Sequence, residues 1–166
     1  MIKKKICMLG AFAVGKTSLV QQFVYSIFSS RYQTTVGVKI DKKTIALQEN
    51  FIDLILWDLN GEDEFQEVRS SYLRGSSGCF YVIDGTRGDT FETAERLYQK
   101  ALNTIGAVPT VFAVNKHDLS WQWEVNQDLM RPLKERGEHI IMTSAKTGQG
   151  VETAFQTLTK LMIANH

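Results

Sequence analysis

Between an apolar run, Ile2–Leu9, and a helix-patterned segment, Thr17–Ile27, lies Gly10-Ala11-Phe12-Ala13-Val14-Gly15-Lys16-Thr17. The octet matches G-x-x-x-x-G-K-[ST], and its setting between a strand and a helix is the one that motif requires. A chain wrapped round phosphates must turn its N–H groups inward, and glycine reaches the backbone angles that allow it. The helix starting near Gly15 offers unpaired N–H donors and the positive end of its dipole to an anion. Lys16 then supplies a cation for β- and γ-phosphates, and Thr17 a hydroxyl for Mg²⁺.

Outward from this loop, strand-like and helix-like segments alternate, the pattern of an α/β protein with a largely parallel sheet. Leu19, Val20, Phe23, Val24 and Ile27 form one face of the first helix. Val36–Leu47 and Phe51–Asp58 are strands separated by Gln48-Glu49-Asn50, a link that permits an antiparallel hairpin but no helical crossover. Gly78–Asp84, Pro109–Asn115 and Ile140–Thr143 read as further strands, with the proline at a first position where no ladder donor is lost. Phe91–Ile105 and Val151–Ile163 carry apolar residues at helical spacing. Trp123–Arg136 is expected to be helical and kinked or split at Pro132. The expectation is a six-stranded, mostly parallel sheet with one antiparallel hairpin strand, about five helices on both faces, and a single domain over residues 1–166.

Composition narrows the function. The 166 residues are 43% hydrophobic and 22% charged, ordinary globular usage that argues against disorder. Nineteen Lys+Arg against eighteen Asp+Glu leave a net charge of +1, too little for a general nucleic-acid binder. Lys3-Lys4-Lys5 reads as a solvated strand start. The same lysines, followed by Ile6–Val14 with Ala11-Phe12-Ala13, mimic a signal peptide, but cleavage there would sever Gly15-Lys16-Thr17 from Gly10. Cys7 and Cys79 lie in apolar runs, the pattern of reduced thiols in a cytoplasmic protein. No apolar stretch reaches membrane-span length, no glycine follows Met1, and no cysteine lies near His166. No direct membrane anchor is therefore expected.

A second loop, Asn115-Lys116-His117-Asp118, follows a strand, and Ser144-Ala145-Lys146 ends the next one. Both fall at carboxyl ends of strands, where open α/β sheets bind ligands. Asp118 can accept from guanine N1–H and the N2 amino group; adenine lacks both donors and would strand a buried carboxylate. With Thr35-Val36-Gly37 and Trp57-Asp58-Leu59-Asn60-Gly61, these motifs occur in the order and spacing of the Ras superfamily of small GTPases. The chain resembles that superfamily over Ile2–Ile163, nearest in texture to its Rab branch.

The resemblance implies that Phe12, Ala13, Val14, Gly15, Lys16, Thr17 and Ser18 surround the phosphates of GTP or GDP. Phe28 packs on the base, Asn115 braces the loops, Lys116 lies along the base, Asp118 reads its edge, and Ser144, Ala145 and Lys146 complete the base site. His117 fills a variable, solvated position. Thr17, Thr35 and Asp58 are the implied Mg²⁺ set, Asp58 acting through water. Tyr32 folds over the phosphates. Lys16, Thr35, Gly61 and Glu62 are the implied catalytic positions, with Thr35 and Gly61 tethered only in the GTP state. Effectors, exchange factors and activators are implied to dock through Ser29–Val38 and Gly61–Arg74.

Three positions depart from the family pattern. Glu62 stands where a glutamine usually orients the attacking water; a carboxylate can accept from water but cannot donate to the γ-phosphate. Asn60 replaces a small residue before Gly61. Phe12 replaces a small residue where an activator's arginine would enter, and an arginine finger contributes roughly 10³–10⁵ in rate. Slow hydrolysis is expected, unless Glu62 serves as a base or Arg31 supplies charge in cis. The competing readings are a guanine-nucleotide-binding scaffold that barely hydrolyses, a GTPase domain belonging to a longer chain, and an adenine-nucleotide kinase, for which no lid segment is visible.

Overall fold

From Ile6 onward every residue of the first strand, β1 (Ile2–Gly10), is buried, and its side chains alternate between two cores. Ile6 and Met8 join Val20, Phe23, Phe80 and Phe155, whereas Cys7 and Leu9 join Tyr81, Leu97 and Phe112 on the opposite face. A strand covered on both faces must be apolar throughout, hence the unbroken hydrophobic run. The computed structural model describes residues 1–30, 37–59 and 68–164.

The other strands are β2 (Val38–Leu47), β3 (Asn50–Leu59), β4 (Gly78–Asp84), β5 (Thr110–Asn115) and β6 (His139–Met142). They form one six-stranded sheet in the order β2-β3-β1-β4-β5-β6. The β2–β3 hairpin is antiparallel and all other pairings are parallel. Among the described residues the helices are α1 (Lys16–Tyr25), α2 (Ser70–Leu73), α3 (Asp89–Ile105), α4 (Gln127–Glu135) and α5 (Val151–Ala164), with a 3₁₀ turn at His117–Gln122. α1 and α5 cover one face, where the Phe23 and Phe155 rings stack 4.0 Å apart. Leu97 and Ala101 of α3 and Met130 and Leu133 of α4 cover the other. The expected fold class is the one observed.

Local expectations needed correction. α1 stops at Tyr25 because Ser26 turns left-handed (φ 54°) and closes the helix with its N–H on the Gln22 carbonyl. Ile27 therefore leaves the helical face and is 53% exposed. The helix expected from Trp123 begins only at Gln127, where the Asn126 side chain caps it by accepting from Leu129 N–H at 2.9 Å. Trp123 is extended. Pro132 sits inside α4 without splitting it, on the exposed side of a helix anchored by buried Met130 and Leu133. β5 begins at Thr110, while the Pro109 carbonyl already accepts from Cys79 N–H. Lys5 is not simply solvated: its ammonium lies 3.7 Å from the Trp57 ring centre and donates to the Tyr72 and Arg74 carbonyls. Cys7 and Cys79 are buried, free and in register on β1 and β4, and burial pushes the Cys79 thiol up to about 12. Among the described residues no helix is long and apolar enough to cross a membrane.

Candidate functional site: a cleft at the carboxyl ends of the strands

A cleft of about 400 Å³ opens at the carboxyl ends of the strands. One wall is the loop between β1 and α1, and the opposite wall is built from the loops after β5 and β6. Gly15 stands at the N-cap of α1, where its φ of 104° turns the chain into the helix and it has no side chain to cap the helix N–H groups. No other residue fits this turn: a Cβ on Gly15 would lie 2.4 Å from the Asn115 amide nitrogen. Lys16 is only 6% exposed and donates to the Gly10 and Ala11 carbonyls at 3.2 and 3.1 Å. Burial pulls its pKa down to about 8, against the opposing pull of Asp58 and with a further lowering from Arg87.

At the foot of this loop, Thr17 Oγ1 donates to Asp58 Oδ2 at 2.5 Å. Asp58 is the penultimate residue of β3 and is 1% exposed. Its Oδ1 is buried without a hydrogen-bond partner among the described residues. Burial raises the Asp58 pKa, and the Thr17 bond and the charge of Lys16 only partly oppose that. An orphaned carboxylate oxygen beside a hydroxyl is the donor set of a hard divalent cation, and Mg²⁺ takes few protein ligands because phosphates and waters complete its shell. Among the described residues no group of three or more His, Cys, Asp or Glu could hold a metal ion.

Asn115, the last residue of β5, is 2% exposed and joins the two walls. Its amide donates to the Val14 carbonyl at 3.0 Å, and its oxygen accepts from Thr143 Oγ1 and Ala145 N–H at 3.1 and 3.3 Å. Lys116 is left-handed (φ 69°) and reaches back to the Ala13 carbonyl at 3.4 Å and to Asp84 at 2.7 Å. Asp118 Oδ1 accepts from Ser144 Oγ at 2.8 Å, and Ser144 Oγ in turn accepts from Thr147 N–H.

Of the expected site residues, Phe12, Ala13, Gly15, Lys16, Thr17, Ser18, Phe28, Asn115, Lys116, Asp118, Ala145 and Lys146 line this one cleft. Val14 and Ser144 stand behind its wall, the first with its side chain in the core and its carbonyl on Asn115. His117 is not simply solvated: it is half-buried, with Nδ1 3.1 Å from Gln149 Oε1 and its ring edge-on to Trp123. Arg31, Tyr32, Thr35, Asn60, Gly61 and Glu62 lie outside the described residues.

Sequence reasoning missed Asp84, Arg87, Thr143 and Trp123, which support the cleft from behind. Asp84 carried a readable signal, a carboxylate ending an apolar strand as Asp58 does. The others depend on contacts between distant segments.

The fold and the cleft together define a P-loop protein of the α/β class. The chain belongs to the Ras family, whose model matches residues 5–164, and so to a group of GTP-binding GTPase switches. It is Rab-like within that group. It is 34% identical over 159 residues to "Ras-related protein Rab-7b" of Mus musculus, covering 93% of this chain and 79% of that protein. It is 33% identical over 162 residues to "Ras-related protein Rab-25" of Bos taurus, covering 96% and 76% respectively.

Proposed function

We propose that this chain is a magnesium-dependent GTP/GDP switch with a low intrinsic rate of hydrolysis. The observation that carries the reading is Asn115, whose one side chain ties the phosphate loop at Val14 to the base loops at Thr143 and Ala145. Phosphates seated at the α1 N-terminus supply the counter-charge that buried Lys16 requires. The purine would lie between Phe28 and Lys116, with Asp118 accepting from its edge and Ala145 N–H shared between Asn115 Oδ1 and the guanine carbonyl.

Thr17 and Asp58 would hold Mg²⁺, with Thr35 completing the set in the GTP state. When bound, the ion neutralises charge on the β- and γ-phosphate oxygens. Lys16 stabilises the charge that builds on the transferred phosphoryl group, and Gly61 N–H senses its presence. Thr35 and Gly61 lose their tether when phosphate leaves, which changes the surface offered to partners. That surface spans Ser29–Val38 and Gly61–Arg74. Beside it, Ile40 is 52% exposed, in register with Trp57, whose ring lies 6.3 Å from that of Tyr72.

The low rate rests on Glu62, Asn60 and Phe12. Glu62 cannot donate to the γ-phosphate, and an aromatic at 12 on the rim of the cleft obstructs an incoming arginine. The test is single-turnover phosphate release from GTP-loaded protein with Mg²⁺, beside the Glu62→Gln variant. Slow release by the wild type and faster release by the variant are expected. A slower variant would make Glu62 catalytic and overturn the low-rate reading. Silence in both would favour the scaffold.

A further inference from the structure

Ala13 lines the cleft with φ at 62°, a left-handed conformation in which a residue with a Cβ is strained. Strain of this kind persists only where the surroundings over-determine it. Here both peptide carbonyls that flank the Ala13 Cα are held by cations. The Phe12 carbonyl accepts from Arg87 Nη2 at 2.7 Å, and the Ala13 carbonyl from Lys116 Nζ at 3.4 Å. Both cations converge on one buried carboxylate: Asp84 Oδ2 meets Lys116 Nζ at 2.7 Å and Arg87 Nε at 3.1 Å. Asp84 Oδ1 is fixed by Thr86 N–H and Oγ1 at 2.9 and 2.7 Å.

The frame behind this clamp is closed. The Gly85 carbonyl accepts from Glu124 and Val125 N–H, and the Trp123 indole donates to the Lys116 carbonyl at 2.9 Å. A Cβ on Gly85 would lie 2.1 Å from the Trp123 ring, so only glycine permits this approach. Thr90 Oγ1 donates to the Arg87 carbonyl at 2.7 Å and holds that residue at the start of α3.

Resting on the guanine-nucleotide reading above, we propose that Arg87 is a positioning residue for the nucleotide phosphates, clamping with Asp84 the strained turn at Ala13. In a trans peptide the N–H points opposite to the carbonyl. Pinning the Phe12 and Ala13 carbonyls from outside therefore fixes the N–H groups of Ala13 and Val14 on the opposite side of the same two peptide planes. A cation on the carbonyl also polarises the peptide and makes its N–H a stronger donor to an anion. Arg87 differs from an ordinary surface ion pair, which contributes little, in that its worth depends on the residue at 13.

The experiment measures release of N-methylanthraniloyl-GDP, chased with excess GDP in the presence of Mg²⁺. It compares wild type, Arg87→Met, Arg87→Lys, Ala13→Gly and the Ala13→Gly/Arg87→Met double variant. Only loaded molecules contribute to the rate, so a poorly folding variant does not distort it. Arg87→Met should release about tenfold faster, in keeping with loss of a charge-assisted hydrogen bond. Arg87→Lys keeps the charge but not the fork and should recover only part of this. In the Ala13→Gly background the same Arg87→Met change should matter less than about threefold, because glycine holds the turn without a clamp. Millimolar guanidinium should slow release from Arg87→Met.

Equal factors in both backgrounds, or no effect of Arg87→Met, would overturn the proposal while leaving the guanine-nucleotide reading intact. Wild-type protein that does not retain the labelled GDP would overturn that reading and this proposal together.

Discussion

Asp84 carries two cations on one buried oxygen, and its ionisation ties pH to stability. Burial alone would raise its pKa, but hydrogen bonds from Lys116 and Thr86 outweigh burial and the net displacement is downward. A carboxyl whose folded pKa is depressed contributes stability that is fully present above its unfolded value, about 3.9, and is lost as pH falls through the folded value. Asp84→Asn should therefore cost about 1–3 kcal/mol at neutral pH, where Lys116 and Arg87 lose their counter-charge. The cost should shrink in acid below about pH 4. Denaturant unfolding at neutral and acid pH checks both limbs, and a cost independent of pH would contradict the assignment. At this scale the sequence showed groups that line the cleft, because motif spacing names Lys16, Thr17, Asn115 and Asp118. It did not show Arg87, whose partner Phe12 lies 75 positions away in the chain.

α4 shows what an element can tolerate. Pro132 has no N–H for the Asp128 carbonyl, yet the helix runs from Gln127 to Glu135 because Met130 and Leu133 are buried on its inner side. Proline is disfavoured by about 3 kcal/mol against alanine inside a helix, an effect partly offset by the freedom alanine restores to the unfolded chain. Pro132→Ala should stabilise the protein by about 1–2 kcal/mol. Thermal unfolding checks this, and a loss of stability would mean that the proline ring packs. Periodicity predicted α3 and α5 well, since each shows one sustained apolar face. It over-extended α1 to Ile27 and started α4 four residues early. Those ends are set by a left-handed Ser26 and by the docking of Trp123 over Gly85, neither of which leaves a periodic trace.

Over the whole molecule, the sheet brings the ends of β1, β3, β4 and β5 to one edge, where the cleft opens; a nucleotide bound there should stabilise the fold. Mg²⁺ and GDP at one hundred times the dissociation constant should add about 2.7 kcal/mol, which for a chain of this size raises Tm by about 5–10 °C. ATP at the same concentration should add little, because adenine offers Asp118 no donors on that edge. Equal shifts with both nucleotides would contradict the guanine reading. The sequence by itself determined the α/β class, the antiparallel hairpin and the three loops that wall the cleft. Apolar runs, short links and motif spacing are local properties, and they were written in consecutive residues. Only the tertiary structure decided which distant groups meet. It set Asn115 on Val14, left Asp58 Oδ1 buried and unpaired, and placed Arg87 and Lys116 on Asp84 around a strained Ala13. Hydrogen bonds and ion pairs depend on separations of a few ångströms in space, and the order of strands in the sheet sets those separations.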